Sequence, residues 1–395
     1  MELTSDALNI NEISLKLVWF CSSATSLDKN KENTFEVVFQ QTKPTKSLVL
    51  PVIMQRASRF VASHLMPAES ALHQRTLMAW PAASSMYHFQ LSAARFEVAA
   101  IANAISRFEP VTIFASSADT QGLRSQLNGN VSIATMPVEN LWIRDSGPVF
   151  AISSDGNIHG VDFSFNHWGG KLTQSEDVAL ARGILALADV PRVDAQVRAE
   201  GGGLEVDGDG TLLVTESCLI NPNRNPGMNK TEVEARLKCA LGVDKVIWLK
   251  GVMGADITDC HIDALARFVS PGTVVLSRPH SSRPVVWAEV YEDARHILES
   301  ERDSKRRTLH VVDLPEPNVD GLKGKEDKDM VASYANYYLA NGAVIMPRFG
   351  DDVADQHCAG ILQKLFPDRE VVQVLINMLP RIGGGIHCAT QQQPR

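Results

Sequence analysis

From about residue 65 to its end, this chain alternates short β-rich runs with amphipathic helical stretches, which restricts it to folds in which helices cover sheets. The runs VTIFAS at 111–116, VSIATM at 131–136, TLLVTE at 211–216 and KVIWL at 245–249 read as strands, as do TVVLS at 273–277, LHVVDL at 309–314 and AVIMP at 343–347. Helical periodicity runs through 92–108, 176–188, 230–241 and 353–365. The expectation is therefore an α/β domain rather than a bundle or a sandwich. Spacing alone does not say how the units close up. No repeat of fixed period is present, which leaves open a structural repeat whose copies have diverged.

Residues 1–60 differ from the rest: polar clusters such as DKNKEN mix with short apolar pieces, and QQTKPTKS reads as a linker. The division expected is an irregular amino-terminal extension over 1–60 and one folded domain over 61–395. With 395 residues and 44% of them hydrophobic, the chain can bury a large core.

Acidic residues outnumber basic ones by 46 to 38, and no long run of either sign occurs. Nucleic acid and anionic membranes are thus poor partners, and a cationic substrate is favoured. Six cysteines lie scattered without a CxxC pair, which argues against a disulfide scaffold or zinc ribbon and for a reducing compartment. The longest apolar stretches, such as SLVLPVIM, fall far short of the roughly 20 residues of a membrane helix. Glu2, Asp6 and Glu12 stand where a secretory signal carries positive charge. The expected setting is the cytoplasm, with room for a homo-oligomer.

Polar residues able to carry chemistry fall in four segments at strand ends or in Gly-rich loops. In GGGIHCATQQQPR, Cys388 follows three glycines and sits beside His387. A thiol there is an activated nucleophile if a nearby cation or base lowers its pKa, or else a small buried Cys in a flexible tail. In ADITDCHIDAL, an extended backbone turns His261 and Asp263 to one face, as an acid/base pair or a metal site; the plain alternative is a solvated acidic loop. In ENLWIRDSGPVF, Asp145 can bind a cation and Trp142 offers a flat face to a planar guanidinium, against a purely structural Arg144–Asp145 turn. In AEGGGLEVDGDGTLLVTE, Glu200 precedes three glycines and DGDG reads as a hairpin turn.

In this order, the segments resemble the agmatine deiminase and Porphyromonas-type peptidylarginine deiminase family, and the agmatine deiminase branch more closely. The matching pieces are MPAE at 66–69, MAWP at 78–81, WIRDSGP at 142–148, FNHWGGK at 165–171, EGGG at 200–203, TESCLINPNRNP at 215–226 and DITDCHID at 256–263. SYANYYLANGAVIMPRFGD at 333–351, FPDREVV at 366–372 and GGGIHCATQQQP at 383–394 complete the set. The resemblance implies a pentein-type α/β fold, a pseudo-fivefold propeller of ββαβ-like units around a central site. It implies Cys388 as nucleophile, His261 as general acid/base, Glu200 as the carboxylate that orients or charges the histidine, and Asp145 and Asp263 as the clamp on a guanidinium. Trp142 and Asn336 join the substrate-binding set, and no metal or organic cofactor is required.

Two departures stand out: Ser70 where the family has Trp after the MPAE glutamate, and Gly385 where the family often has Asn. Relatives acting on peptidylarginine bind a carboxylate with arginines between the WIRD-like motif and the next strands, whereas here no Lys or Arg occurs from Ser146 through Gly170. That favours agmatine, giving N-carbamoylputrescine and ammonia on the route to putrescine. Peptidylarginine deimination or amidino transfer on the same fold, a metal-dependent hydrolase and a non-catalytic scaffold are the alternatives.

Overall fold

The structure is a computed structural model. It describes residues 64–85, 90–172, 176–322 and 330–395, so the expected extension over 1–60 lies outside the described residues. All described residues belong to one compact unit, Arg59–Arg395.

The described residues form five sheets, each mixed in sense: an antiparallel pair followed by a parallel partner reached through a helix. Val149–Ser153 pairs antiparallel with Ile158–Asp162, which runs parallel to Arg192–Asp194 after the helix Leu180–Leu187. Glu205–Val206, Thr211–Thr215 and Lys245–Leu249 repeat the scheme around the helix Lys230–Leu241. Ala266–Ser270, Thr273–Arg278 and His310–Pro315 do so around Val285–Ser300. Tyr338–Ala340, Ala343–Arg348 and Glu370–Leu375 do so around Asp352–Leu365. The fifth sheet is closed by the end of the chain: Gln391–Pro394 pairs antiparallel with His73–Ala79, which is parallel to Val111–Ala115 across the helix Leu91–Ile105. His64–Leu65 extends the first sheet and Val131–Thr135 the last.

The chemistry of each connection follows the sequence. Antiparallel pairs need only tight turns, and Asn341-Gly342, with Gly342 at φ 78°, supplies the left-handed residue of one. Parallel pairs need a crossover long enough for a helix. Asn229 and Glu232 form a reciprocal capping box at the start of Lys230–Leu241, and Gly242 ends it at φ 68°. A side chain there would also begin 1.5 Å from the His64 carbonyl oxygen. Between sheet and helix, Ile113, Val344 and Met346 meet Val98, Ile101 and Ile105 in the largest apolar cluster.

All the strands and helices expected from the sequence are present, and the DGDG segment is the turn of the hairpin joining Glu205–Val206 to Thr211–Thr215. The flexible-tail alternative for the last residues does not hold. Gln391, Gln392 and Gln393 are buried strand residues in register with Leu77, Thr76 and Arg75. No helix among the described residues is long and apolar enough to cross a membrane.

Candidate active site

The segment leading into the first strand of every sheet brings one or two polar side chains to the same place. Asp145 lies in the turn Ile143–Ser146 before Val149–Ser153, and Glu200 precedes the turn Gly201–Gly203 before Glu205–Val206. His261 and Asp263 flank Ile262 ahead of Ala266–Ser270, Asn336 precedes Tyr338–Ala340, and Cys388 precedes Gln391–Pro394. All six are buried, as is Trp142. The five sheets thus deliver every residue singled out in the sequence to one site.

His261 Nε2 is 3.3 Å from Glu200 Oε2, and its Nδ1 is 3.7 Å from Asp145 Oδ1. Cys388 Sγ is 3.4 Å from Asp263 Oδ2 and 3.3 Å from Asn336 Nδ2. Gly202 fills the middle: its N–H donates to Asp145 Oδ1 at 3.0 Å, and a Cβ there would fall 2.7 Å from His261 Nδ1, 2.8 Å from Asp145 Oδ1 and 3.1 Å from Asp263 Oδ2. The Trp168 indole donates to Asp145 Oδ2 at 2.9 Å. Trp142 packs against the chain at Gly384, where a Cβ would sit 2.4 Å from its ring.

His261 and Asp263 face the site together, but not because the segment is extended. Asp259 and Cys260 take φ of 62° and 72°, and residues 262–264 form a short 3₁₀ turn. The backbone bends so that Cys260 enters the apolar core while both polar side chains reach the site. The solvated-loop alternative fails on burial.

Burial and charge set the protonation pattern. Burial alone pushes His261 down, but the Asp145 charge and the hydrogen bond with Glu200 hold it well above the ordinary imidazole value. Burial raises Asp145, and Asp263 and Glu200 raise it further against the opposing pull of His261. Burial also opposes ionisation of Asp263, yet hydrogen bonding and charge from His387 bring it below the usual carboxylate value. Glu200 is lowered likewise, the Arg224 charge outweighing burial. The Cys388 thiol is pushed well up by burial, then by Asp263 and Asp145. A cation placed among these groups would relieve all of that repulsion.

The supporting residues were not visible in the sequence. Arg224, from NPNRNP, donates through Nε to both Glu200 oxygens at 2.9 and 2.8 Å and through Nη1 to Asp259 Oδ2 at 2.8 Å. Glu69, the MPAE glutamate, binds Arg144, Arg267 and His387. Arg144 therefore belongs to this frame rather than to a turn pair with Asp145. The structure also places the two departures from the family pattern. Ser70 is exposed. At 385 a Cβ would fall 2.4 Å from Asn336 Oδ1, so the Asn336 amide stands where another side chain would begin.

Trp142, Asp145, Trp168, His261, Asp263 and Cys388 line one narrow cavity of about 30 Å³. None of its lining residues is Lys or Arg, and Asp256 adds a further carboxylate. Glu200, Cys218 and His261 have donor atoms close enough together to hold a metal ion. Arg224 already donates to both Glu200 oxygens and supplies the positive charge there, so this donor set fits a metal poorly.

The model of the Porphyromonas-type peptidyl-arginine deiminase family matches residues 65–394. An agmatine deiminase of Pseudomonas aeruginosa is 37% identical over 359 residues, covering 83% of this chain and 95% of that one. The solved agmatine deiminase of Enterococcus faecalis superposes with a TM-score of 0.77 at 32% identity, covering 84% of this chain and 96% of that one. An agmatine deiminase of C. jejuni, a cysteine-to-serine variant with substrate bound, gives a TM-score of 0.74 at 26% identity, covering 84% of this chain and 96% of that one.

Proposed function

Because this chain belongs to the Porphyromonas-type peptidyl-arginine deiminase family, we propose that it hydrolyses agmatine to N-carbamoylputrescine and ammonia through a covalent amidino-cysteine at Cys388. The observation that carries the reading is one cavity in which a buried thiol, two carboxylates and a charged histidine converge with no lining Lys or Arg. A guanidinium fits that vacancy of charge: Asp145 and Asp263 take its N–H edges by charge-assisted bonds, and Trp142 offers its ring face. The tail meets Trp168, Asp256 and apolar groups, which suits an amine and opposes a carboxylate.

The chemistry follows from the protonation pattern. Without substrate, burial and then the charges of Asp263 and Asp145 keep the proton on Cys388; the arriving cation reverses that field and the thiol proton passes to solvent. The thiolate adds to the central guanidine carbon, held at attacking distance by the clamp. His261, protonated and oriented by Glu200, gives its proton to the departing nitrogen; the C–N bond breaks and ammonia leaves. Water then adds to the amidino carbon while neutral His261 takes one of its protons; the C–S bond breaks as the carbonyl forms, the remaining hydroxyl proton passes to solvent, and the ureido product and the thiolate result. No step calls for a cofactor.

The same reading takes the five sheets as five ββαβ units around a common axis, since the entry segment of each supplies the site. It assigns 61–395 as the catalytic domain, and a reducing cytoplasm suits a reaction that needs a free thiol. Initial rates of ammonia release from agmatine, arginine and a peptidylarginine, with and without chelator, test it. Preferred, chelator-insensitive turnover of agmatine is expected. Preference for a carboxylate- or peptide-bearing guanidine would overturn the tail assignment.

A further inference from the structure

His387 plays no part in the steps above, yet it joins the substrate-facing carboxylate to the frame behind it. Its Nδ1 is 2.8 Å from Asp263 Oδ2 and its Nε2 is 2.8 Å from Glu69 Oε2, all three side chains being buried. A neutral imidazole has one N–H and one lone pair, so it can serve only one of these oxygens. Both contacts are satisfied by a ring carrying two protons.

The far end of this bridge is fixed. Glu69 also accepts from Arg144 Nη2 at 3.0 Å, Arg267 Nη2 at 3.0 Å and the Leu339 N–H at 2.9 Å. Arg267 in turn bonds Glu205 at 2.6 Å and the Tyr337 carbonyl at 2.9 Å. The near end reaches the chemistry, because the oxygen that accepts from His387 lies 3.4 Å from the Cys388 sulfur. The His387 N–H donates to Asn336 Oδ1 at 3.0 Å, and the same Asn336 amide contacts that sulfur, so the ring's own backbone is set by the substrate loop.

We infer that His387 is a positioning residue for deimination: a doubly protonated ring, braced by Glu69, that aims Asp263 at the guanidinium and balances its charge beside the nucleophile. This deepens the deiminase reading and rests on it. Its consequence is that His387 is the largest support for Asp263 ionisation, with His261 and Arg267 adding to it. The other charged groups around it are His261, Arg267 and Asp145, of which Asp145 opposes ionisation.

The test compares wild type with His387→Gln and Glu69→Gln in full pH profiles of kcat/KM on agmatine, beside 15N-histidine spectra of the wild type. Losing the ring's charge should move the acid limb upward by about one to three pH units and steepen it as Asp263 joins Asp145 in titrating. KM should suffer more than kcat, and Glu69→Gln should shift the limb the same way by less. The spectra should show His387, like His261, with both nitrogens protonated at neutral pH, and the His387 signals displaced in Glu69→Gln. A uniform loss of activity with an unmoved acid limb would overturn the inference, as would a bare nitrogen on His387. If His387→Gln does not fold, the isosteric Glu69→Gln and the spectra decide. A wild type without turnover of any guanidine would defeat the deiminase reading instead, while the spectra still report the ring.

Discussion

Replacing Gly202 with alanine places a methyl group where three functional side chains meet. The new carbon would lie 2.7 Å from His261 Nδ1, 2.8 Å from Asp145 Oδ1 and 3.1 Å from Asp263 Oδ2. Non-bonded contacts settle near ~3.5 Å, so the histidine and Asp145 must each withdraw by roughly 0.7 Å. Neither has free space behind it: Glu200 holds His261, and Trp168 holds Asp145. Overpacking of this kind costs about 1–3 kcal/mol of stability, and misplacing reacting groups by ~1 Å lowers rate by on the order of 10²-fold. The prediction is a loss of about 10²-fold in kcat/KM for agmatine with the fold retained. Ammonia release and thermal unfolding measure both. Gly122→Ala is the control, since a Cβ there meets nothing within 4 Å, and it should match wild type. A Gly202→Ala enzyme within about threefold of wild type would refute the claim that these groups converge on that glycine.

Arg224→Leu would leave Glu200 and Asp259 without their shared buried cation, and should destabilise the fold by about 3–5 kcal/mol in denaturant titration. An unchanged midpoint would show that the pair is not buried as described. The raised Cys388 thiol predicts that iodoacetamide at neutral pH, in the absence of substrate, labels exposed Cys239 well before Cys388, with Cys388 labelling rising as pH climbs. Peptide mass spectrometry reads both rates, and equal labelling at neutral pH would contradict the proposed field at the thiol.

What the sequence made legible depended on how strongly each feature was patterned. Lys245–Leu249 and Ala343–Arg348 stand out as apolar runs because sheets and helices cover both faces. The helix Val285–Ser300 does not, since its buried positions are only Val290, Tyr291, Ala294 and Leu298 among charged residues. Gln391–Pro394 has no apolar strand signature; its place is fixed by pairing with His73–Ala79 and by the Arg144 guanidinium donating to Gln392. Cys388, His261, Asp145, Asp263 and Glu200 were found through the order of their motifs, while the period-two argument picked out His261 and Asp263 from a conformation they do not adopt. Arg224, Glu69, Arg267 and His387 were missed as a network because a single charged residue, whether in a loop or, like Arg267, within the strand Ala266–Ser270, carries no sign of its buried partners. Their roles come from partners up to 318 residues away, as with His387 and Glu69.

Cys388 is the residue on which the proposed reaction depends most directly. Wild type and Cys388→Ala should be incubated with agmatine, and ammonia and N-carbamoylputrescine followed together. Equimolar release by wild type, and none above background from a folded Cys388→Ala, is the predicted result. Undiminished release by Cys388→Ala, or no release by wild type, would contradict it.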